Sequence, residues 1–283
     1  MNRNEPRPAE PNIREGQISF RGFSTWYQVT GNSNSNNVPV ILLHGGPGYP
    51  STSLEPMEIL AKNDRAVVRY DQIGCGKSSL KDIPHDSSMF VTDLFVQELK
   101  TLVSEIFEVL GTPADMADVV SSSLVNANLS GHDSHGIQLV RQYASDIRSG
   151  WLLPAARPVI DPQTSFMATL TVDGVKGWGP PAVNLAVEGA IERANQFGIG
   201  SAVIRRGGHI GRVGQYVEHI ASHNLIGIVT CNTGSAVIPF GGKKAMLGTN
   251  PIAIAAPRKN GKPPVFFDGS TSVVAGNKLS VFA

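Results

Sequence analysis

The side chains best suited to acid–base chemistry in this sequence are histidines in short loops that contain glycine. His132 and His135 lie in GHDSHG (Gly131–Gly136), and His209 lies in GHIGRVGQY (Gly208–Tyr216). Histidine has an ordinary pKa close to neutral pH, so it can give or take a proton there. The H-x-x-H spacing could also form half of a metal site, but neither Glu nor Cys accompanies it in a ligand pattern. From these residues alone, proton transfer and a plain loop role both stay open.

The elements that must position these loops alternate between helices and strands. Phe90–Leu110 has helical spacing, and Gly111 follows it where a helix is expected to end. Thr112–Asp115 has the pattern of an N-cap, a first-turn proline and a capping-box acid. Further helices are predicted from Met116 to Ala127, at Ala182–Phe197 and at Val213–His223, with strands at Phe166–Val172, Ser201–Ile204, Ile226–Thr230, Ile252–Ala256 and Val265–Phe267. This alternation predicts an α/β chain of mixed α+β character.

The first hundred residues contain two strand-to-loop motifs. Val38–Leu43 runs into HGGPG (His44–Gly48), and Arg65–Tyr70 runs into DQIGCGKSS (Asp71–Ser79). Both motifs resemble the start of the proline iminopeptidase group of α/β-hydrolases, in which the first loop lends a backbone N–H to an oxyanion hole. The resemblance implies an N-terminal α/β-hydrolase-like fragment over residues 16–101. Its first strands are predicted as a pair at Ile18–Phe20 and Thr25–Thr30.

A hydrolase of this kind also needs a nucleophile elbow, G-x-S-x-G, which the sequence lacks. Ser134 does not stand at the required spacing after Gly131, and TGSAV has Val237 where the second small residue belongs. GCGKSS is not a complete phosphate-binding P-loop either, because Asp71 replaces its first glycine. We therefore interpret GCGKSS as a hydrolase loop and His44 as a structural donor in its own glycine loop. No peptidase activity is expected.

Four later blocks share a second resemblance. They are LVSEIFEVLGTPADMADVVSSSLVNANLSGHDSHG (Leu102–Gly136), GHIGRVGQY, PFGGKKAMLGTNPIAIAAP (Pro239–Pro257) and DGSTSVVA (Asp268–Ala275). In this order and spacing they resemble the malate/L-lactate dehydrogenase family, which is unrelated in fold to the Rossmann-type lactate dehydrogenases. The resemblance implies a dehydrogenase-like domain over residues 102–283. It also implies a homodimer that interconverts a small 2-hydroxy acid and a 2-oxo acid with NAD or NADP.

The resemblance assigns roles to individual residues. His135 matches the proposed acid/base, and His209 matches a second active-site histidine that takes this role in some relatives. Ser134 and Arg141 are assigned to the substrate, Arg141 because a guanidinium can pair a carboxylate at two points. Many relatives carry Arg where this chain has Leu139, and Arg148 is a weaker substitute.

A second set of residues is assigned to the cofactor, because glycine loops offer backbone N–H groups to phosphates. The set comprises Gly241, Gly242, Gly248, Thr249, Asn250, Asp268, Ser270 and Thr271. Lys243 and Lys244 could pair a phosphate, but we interpret them as a solvated pair. No metal is implied.

Composition argues against several classes of function. The 24 Lys and Arg against 23 Asp and Glu leave a net charge of +1, too balanced for a nucleic-acid or anionic-membrane surface. Cys75 and Cys231 are too few for a disulfide framework. No apolar run reaches the length of a membrane helix, and the first residues lack the apolar stretch of a signal peptide. We expect a disordered start over residues 1–15 and a cytoplasmic location.

The two resemblances meet near residues 100–102, and each covers only part of its family's fold. A gene fusion with a C-terminally incomplete dehydrogenase domain and impaired activity is therefore expected. Two alternatives stay open, a proline iminopeptidase-like hydrolase and a non-catalytic fusion product. Binding of a nicotinamide cofactor would separate the dehydrogenase from both.

Overall fold

A computed structural model describes residues 12–20, 22–32, 35, 37, 39–45, 49–78 and 91–272. The chain divides into two compact units, Met1–Leu102 and Val103–Ala283. Among the described residues, no helix is both long enough and apolar enough to cross a membrane.

The first unit is a four-stranded mixed sheet. Its strands are β1 (Ile13–Phe20), β2 (Phe23–Gly31), β3 (Val40–Leu42) and β4 (Ala66–Tyr70), in the order β1-β2-β4-β3. A 3-10 helix at Ser51–Asn63 connects β3 to β4. β1 and β2 form an antiparallel hairpin and β3 lies parallel to β4, so the predicted strands are confirmed.

One prediction in this unit was wrong. Residues 13–15, predicted as part of a disordered start, belong to β1, where Ile13 pairs with Thr30; residues 1–11 lie outside the described residues. His44 stays a predicted donor in its glycine loop, of which residues 46–48 lie outside the described residues. Its Nε2 accepts the backbone N–H of Gln72 at 2.9 Å, because parallel β3 and β4 place both following loops at one edge of the sheet.

Polar side chains fill part of the interior of this unit. The Arg69 guanidinium is buried and donates from Nε to Glu58 Oε1 at 2.8 Å. The buried carboxylate of Glu98 accepts from Thr25 Oγ1 at 2.6 Å and from the Ile73 N–H at 3.0 Å. Burial raises the pKa of Glu98. Since buried charges are costly unless bonded, these contacts fix the arrangement of the strands.

Three helices open the second unit or lead into it. They are α1 (Thr92–Val109), which crosses the boundary between the units, α2 (Ala114–Leu129) and α3 (Val140–Arg148). Gly111 ends α1 as predicted, with the Thr112 N–H bonded to the carbonyl of Phe107 at 3.0 Å. The predicted capping box is wrong. Pro113 is the N-cap of α2, and no side chain caps this helix. The hydroxyl of Thr112 instead accepts the indole N–H of Trp178 at 3.2 Å.

Two three-stranded sheets follow. β5 (Val159–Ile160), β6 (Thr169–Asp173) and β7 (Ser201–Arg205) form one in chain order, with α4 (Gly179–Phe197) crossing over between parallel β6 and β7. β8 (Gly227–Thr230), β9 (Ile252–Ala256) and β10 (Val265–Gly269) form an antiparallel second sheet, and α5 (Gly214–Ser222) precedes it. The predicted elements are confirmed, except that Phe166 and Thr169 bond to each other in a turn and the predicted strand at Phe166 starts later.

The apolar faces of α4 and α5 form the core of this unit. Leu170 and Val172 of β6 pack under Ala182 and Ala186 of α4. Tyr216 of α5 packs on the other side of α4, against residues including Val183 and Ile191. Each fully buried Leu, Ile or Val contributes about 1.5–3 kcal/mol, so this packing holds the loops before α4 and α5 in place.

Candidate active site

The loop that carries His135 is fixed by the end of α2. The Gly131 N–H bonds the Asn128 carbonyl at 2.9 Å and the His132 N–H bonds that of Ala127 at 2.8 Å, an arrangement that requires a left-handed residue at Gly131 (φ 74°). The Asn128 side chain then holds the next turn, Asp133–His135. Its Nδ2 donates to Asp133 Oδ1 at 2.6 Å, and its Oδ1 accepts the Ile137 N–H at 2.8 Å.

The loop that carries His209 is packed against the turn before α4. The backbone of Gly179 lies directly against the carbonyl of His209, and a side chain there would overlap it. The Gly208 N–H bonds the carbonyl of Gly177 at 3.0 Å. Val175 has a left-handed backbone (φ 51°), a strained conformation for a β-branched residue that surrounding contacts must hold.

An ion pair supports the same turn. The carboxylate of Asp173, at the end of β6, accepts from Arg206 Nε at 2.9 Å and from Arg205 Nε at 3.2 Å. Bonding by Arg206 lowers the pKa of Asp173 to about 2. The Val175 N–H also bonds Asp173 Oδ1 at 2.9 Å, so one charged group joins the turn to the loop that leads to His209.

These two loops bring together the two residues predicted to be catalytic. The imidazole rings of His135 and His209 stack with centroids 5.6 Å apart and an angle of 24° between their planes. The hydroxyl of Ser134 lies 3.0 Å from His135 Nδ1. We call His135 and His209 the histidine pair. Two imidazoles and a hydroxyl at this distance can bond and protonate one small polar group.

His209 is held by hydrogen bonds and by packing around it. The Tyr143 hydroxyl lies 2.8 Å from its Nδ1, and the Gly211 N–H points at the same atom from 3.3 Å. Trp178 packs edge-on against Tyr143 with ring centroids 5.3 Å apart. Burial, and in second place the charge of His135, lowers the pKa of His209 to about 4. His209 is therefore uncharged at neutral pH.

The basic residues predicted to hold the substrate lie at exposed positions of one helix. Arg141 and Arg148 are both exposed on α3. Leu139, where many relatives were expected to carry Arg, is buried.

Four of the residues predicted to bind the cofactor are brought together at the surface of the second unit. Ser270 Oγ and Thr271 Oγ1 donate to the Thr249 carbonyl at 2.9 and 3.0 Å. Asn250 Oδ1 accepts the Thr233 N–H at 3.0 Å, and the Thr233 hydroxyl accepts the Thr249 N–H at 2.8 Å. We call these five residues the Thr249 cluster. The cluster combines hydroxyl and amide groups of the kind that bind a ribose or a phosphate.

Of the remaining predicted cofactor residues, only Gly248 lies against the Thr249 cluster. Gly241 and Gly242 lie in a turn beyond the bridge between Val237 and Leu247, next to the exposed Lys243 and Lys244. Gly248 packs against the side chains of the cluster. Asp268 accepts the Gly214 N–H at 2.8 Å through Oδ2, so its carboxylate stabilises the N-terminus of α5.

A family model described as malate/L-lactate dehydrogenase matches residues 95–283. The chain belongs to the malate/L-lactate dehydrogenase family. The match begins within α1, earlier than the predicted start at Leu102.

Individual relatives agree with this assignment. A malate dehydrogenase from Pyrococcus abyssi is 40% identical over 185 residues, which cover 65% of this chain and 50% of that protein. A (2R)-3-sulfolactate dehydrogenase (NADP(+)) from Chromohalobacter salexigens is 34% identical over 184 residues, covering 65% and 54%. The crystal structure of malate dehydrogenase from Entamoeba histolytica superposes with a TM-score of 0.62 at 31% identity, covering 66% and 51%. The chain spans about half the length of these relatives.

Sequence reasoning missed three residues that build the site of this malate/L-lactate dehydrogenase family member. Asn128 could have been noticed as an amide one residue before the end of α2, because such a side chain can bond both sides of a following loop. Thr233 had no comparable signal. Tyr143 lies outside the segments predicted to be helical. Its contact with His209 joins positions 66 residues apart.

Proposed function

We propose that this chain carries the acid–base site of an NAD(P)-dependent oxidoreductase that interconverts a small 2-hydroxy acid and a 2-oxo acid. The observation that supports it best is the histidine pair, two stacked imidazoles 5.6 Å apart. Reduction of a 2-oxo acid needs one proton for the carbonyl oxygen, and histidine supplies it at neutral pH. A nicotinamide, when bound, supplies the hydride.

Within this proposal, His135 exchanges the proton with the substrate oxygen. His209 has a pKa of about 4, so at neutral pH it carries no extra proton to give. His135 therefore donates its proton to the carbonyl oxygen during reduction and takes one back from the hydroxyl during oxidation. The Ser134 hydroxyl on Nδ1 orients the ring, and it is close enough to contact a substrate bound there. Arg141 is proposed to pair the substrate carboxylate from the exposed face of α3.

The cofactor is proposed to be NAD or NADP. One of the relatives is named as an NADP(+) enzyme. The Thr249 cluster fits a polar cofactor group, because it is partly exposed and the Asn250 side-chain amide can still donate beyond its own bond through Oδ1. Gly241 and Gly242 are proposed to contribute backbone N–H groups from the neighbouring turn. A homodimer belongs to the same proposal.

The names of the relatives support the proposed substrate class. These proteins are named for malate and for sulfolactate, each a small 2-hydroxy acid. For this chain we propose the same class of substrate.

For the N-terminal unit we propose α/β-hydrolase-like ancestry over residues 16–101, without hydrolase activity. The contact between His44 and the Gln72 N–H supports the ancestry, because it places the two predicted loops side by side at the ends of parallel strands. The missing G-x-S-x-G elbow leaves no nucleophile for hydrolysis. A fusion of this fragment to the dehydrogenase part is the origin we propose.

Thermal unfolding in the presence of cofactor tests the proposed function. A ligand that binds only the folded chain stabilises it by about 2.7 kcal/mol at 100 times its Kd. NAD(H) or NADP(H) should therefore raise Tm in a concentration-dependent way, and reduced cofactor should be consumed when a 2-oxo acid is added. A hydrolase or a non-catalytic fusion product predicts no change with either cofactor, and that result would contradict the proposal.

A further inference from the structure

We propose that Tyr143 is a positioning residue that holds His209 as a neutral ring with its proton on Nε2. His209 would then offer an N–H to the substrate oxygen while His135 exchanges the proton. Only the contact with the substrate oxygen rests on the proposed function. The position of the proton on His209 is a property of the chain itself.

The contacts at His209 Nδ1 define which nitrogen carries the proton. A backbone N–H can only donate, and that of Gly211 points at Nδ1 from 3.3 Å. Nδ1 must therefore present its lone pair, which in a neutral imidazole leaves the proton on Nε2. The Tyr143 hydroxyl lies closer, at 2.8 Å, and is the stronger donor to the same lone pair.

The packing around Tyr143 fixes the orientation of its ring. It is 2% exposed, and its ring is packed against two others. Trp178 meets it edge-on at 5.3 Å between centroids, and Phe107 lies at 6.2 Å. Trp178 is itself fixed by the bond from its Nε1 to Thr112 Oγ1. Burial raises the pKa of Tyr143, so its hydroxyl keeps the proton that it donates.

A single tautomer of His209 always presents the same group, an N–H donor, to the substrate. An imidazole that exchanged its proton between the two nitrogens would sometimes turn a lone pair toward the substrate oxygen and repel it. With Nδ1 bonded on the protein side, Nε2–H is the group left for a ligand. A neutral imidazole can polarise a carbonyl in this way, and a group held ready needs no rearrangement during the reaction.

Nitrogen-15 NMR of the uniformly labelled chain, without cofactor or substrate, tests the proposal. In the wild type at neutral pH, His209 should show a protonated Nε2 and an unprotonated Nδ1 that is shielded by hydrogen bonding. The His209→Gln spectrum identifies these signals. Tyr143→Phe keeps the packed ring and removes the donor, so the Nδ1 signal should move downfield toward that of an unbonded nitrogen.

Tyr216→Phe is the matched control. This tyrosine is also buried, and its hydroxyl donates to the carbonyl of Ile210 at 2.5 Å, next to His209 in the chain. Its loss should disturb the same loop without moving the Nδ1 signal. A protonated Nδ1 in the wild type would overturn the proposal even if Tyr143→Phe failed to fold. An unchanged Nδ1 signal in folded Tyr143→Phe would also overturn it. Absence of enzyme activity would contradict the proposed function alone.

Discussion

His209 depends on buried aromatic rings from several elements, whereas the Thr249 cluster lies near the surface, with its hydroxyls bonded to backbone groups. Tyr143 and Trp178, 2% and 1% exposed, support His209 from α3 and from the turn before α4. In the Thr249 cluster, most bonds end on the carbonyl of Thr249 or the hydroxyl of Thr233. The comparison teaches that the packed core places His209, while hydrogen bonds between loops place the proposed cofactor groups.

The largest effect is expected at His135. His135→Asn should lower turnover of a 2-oxo acid by roughly 10²–10⁴-fold, the usual contribution of a positioned acid or base. Cofactor affinity should hardly change, because the imidazole acts on the substrate oxygen. Steady-state kinetics with reduced cofactor measure both.

His132→Asn is the control for that substitution, because His132 lies three residues away in the same loop and should cost little. If His135→Asn kept full turnover and His209→Asn abolished it, proton exchange would belong to His209. The split of roles within the histidine pair would then be wrong.

A second expected effect is a loss of stability in mild acid. The pKa of His209 is about 4 when folded and near 6.5 when unfolded, so the unfolded chain binds more protons between these values. The contribution of His209 to the free energy of unfolding is therefore constant above about pH 6.5. It falls by at most about 3 kcal/mol as the pH drops toward 4.

Urea unfolding followed by tryptophan fluorescence at several pH values measures this effect. In His209→Gln the acid-dependent loss should be smaller by that amount. Equal pH dependence in the wild type and His209→Gln would show that His209 is not held neutral by burial.

The smallest effect is expected at Asp268, and it separates two roles. As the acceptor of the Gly214 N–H it stabilises the start of α5, so Asp268→Ala should lower the free energy of unfolding by about 1 kcal/mol. Asp268→Asn keeps an acceptor oxygen and should recover most of this loss. A fall in cofactor affinity in both variants, at unchanged stability, would instead support a direct cofactor contact.

The helices and strands were predicted from the sequence better than the caps and connections between them. The apolar run Ile252–Ala256 and the helical spacing in Ala182–Phe197 reflect burial, and both elements form where expected. The capping box at Thr112 failed because the hydroxyl bonds Trp178, 66 residues away. The 3-10 helix at Ser51–Asn63, with Pro56 inside it, has no periodic signal that distinguishes it from a loop.

The site was predictable in its reacting groups and not in their support. The glycine-bounded loops marked His135 and His209, because such loops expose side chains on tightly turned backbone. The contact of Tyr143 with His209 depends on the packing of α3 against the loop before α5, and no local pattern encodes it. For the same reason, the two bonds of Asn128 became visible only once the turn after α2 was placed.

Transfer of deuterium from cofactor to product tests the central claim most directly. The chain is incubated with nicotinamide cofactor deuterated at the reacting carbon and with a small 2-oxo acid, and the product is analysed by mass spectrometry. The account predicts a 2-hydroxy acid that carries one deuterium on C2, formed at a low but measurable rate by the wild type and His132→Asn and strongly reduced in His135→Asn. Failure of the wild type to form this labelled product with either NADH or NADPH, or equal labelling by His135→Asn, would contradict it.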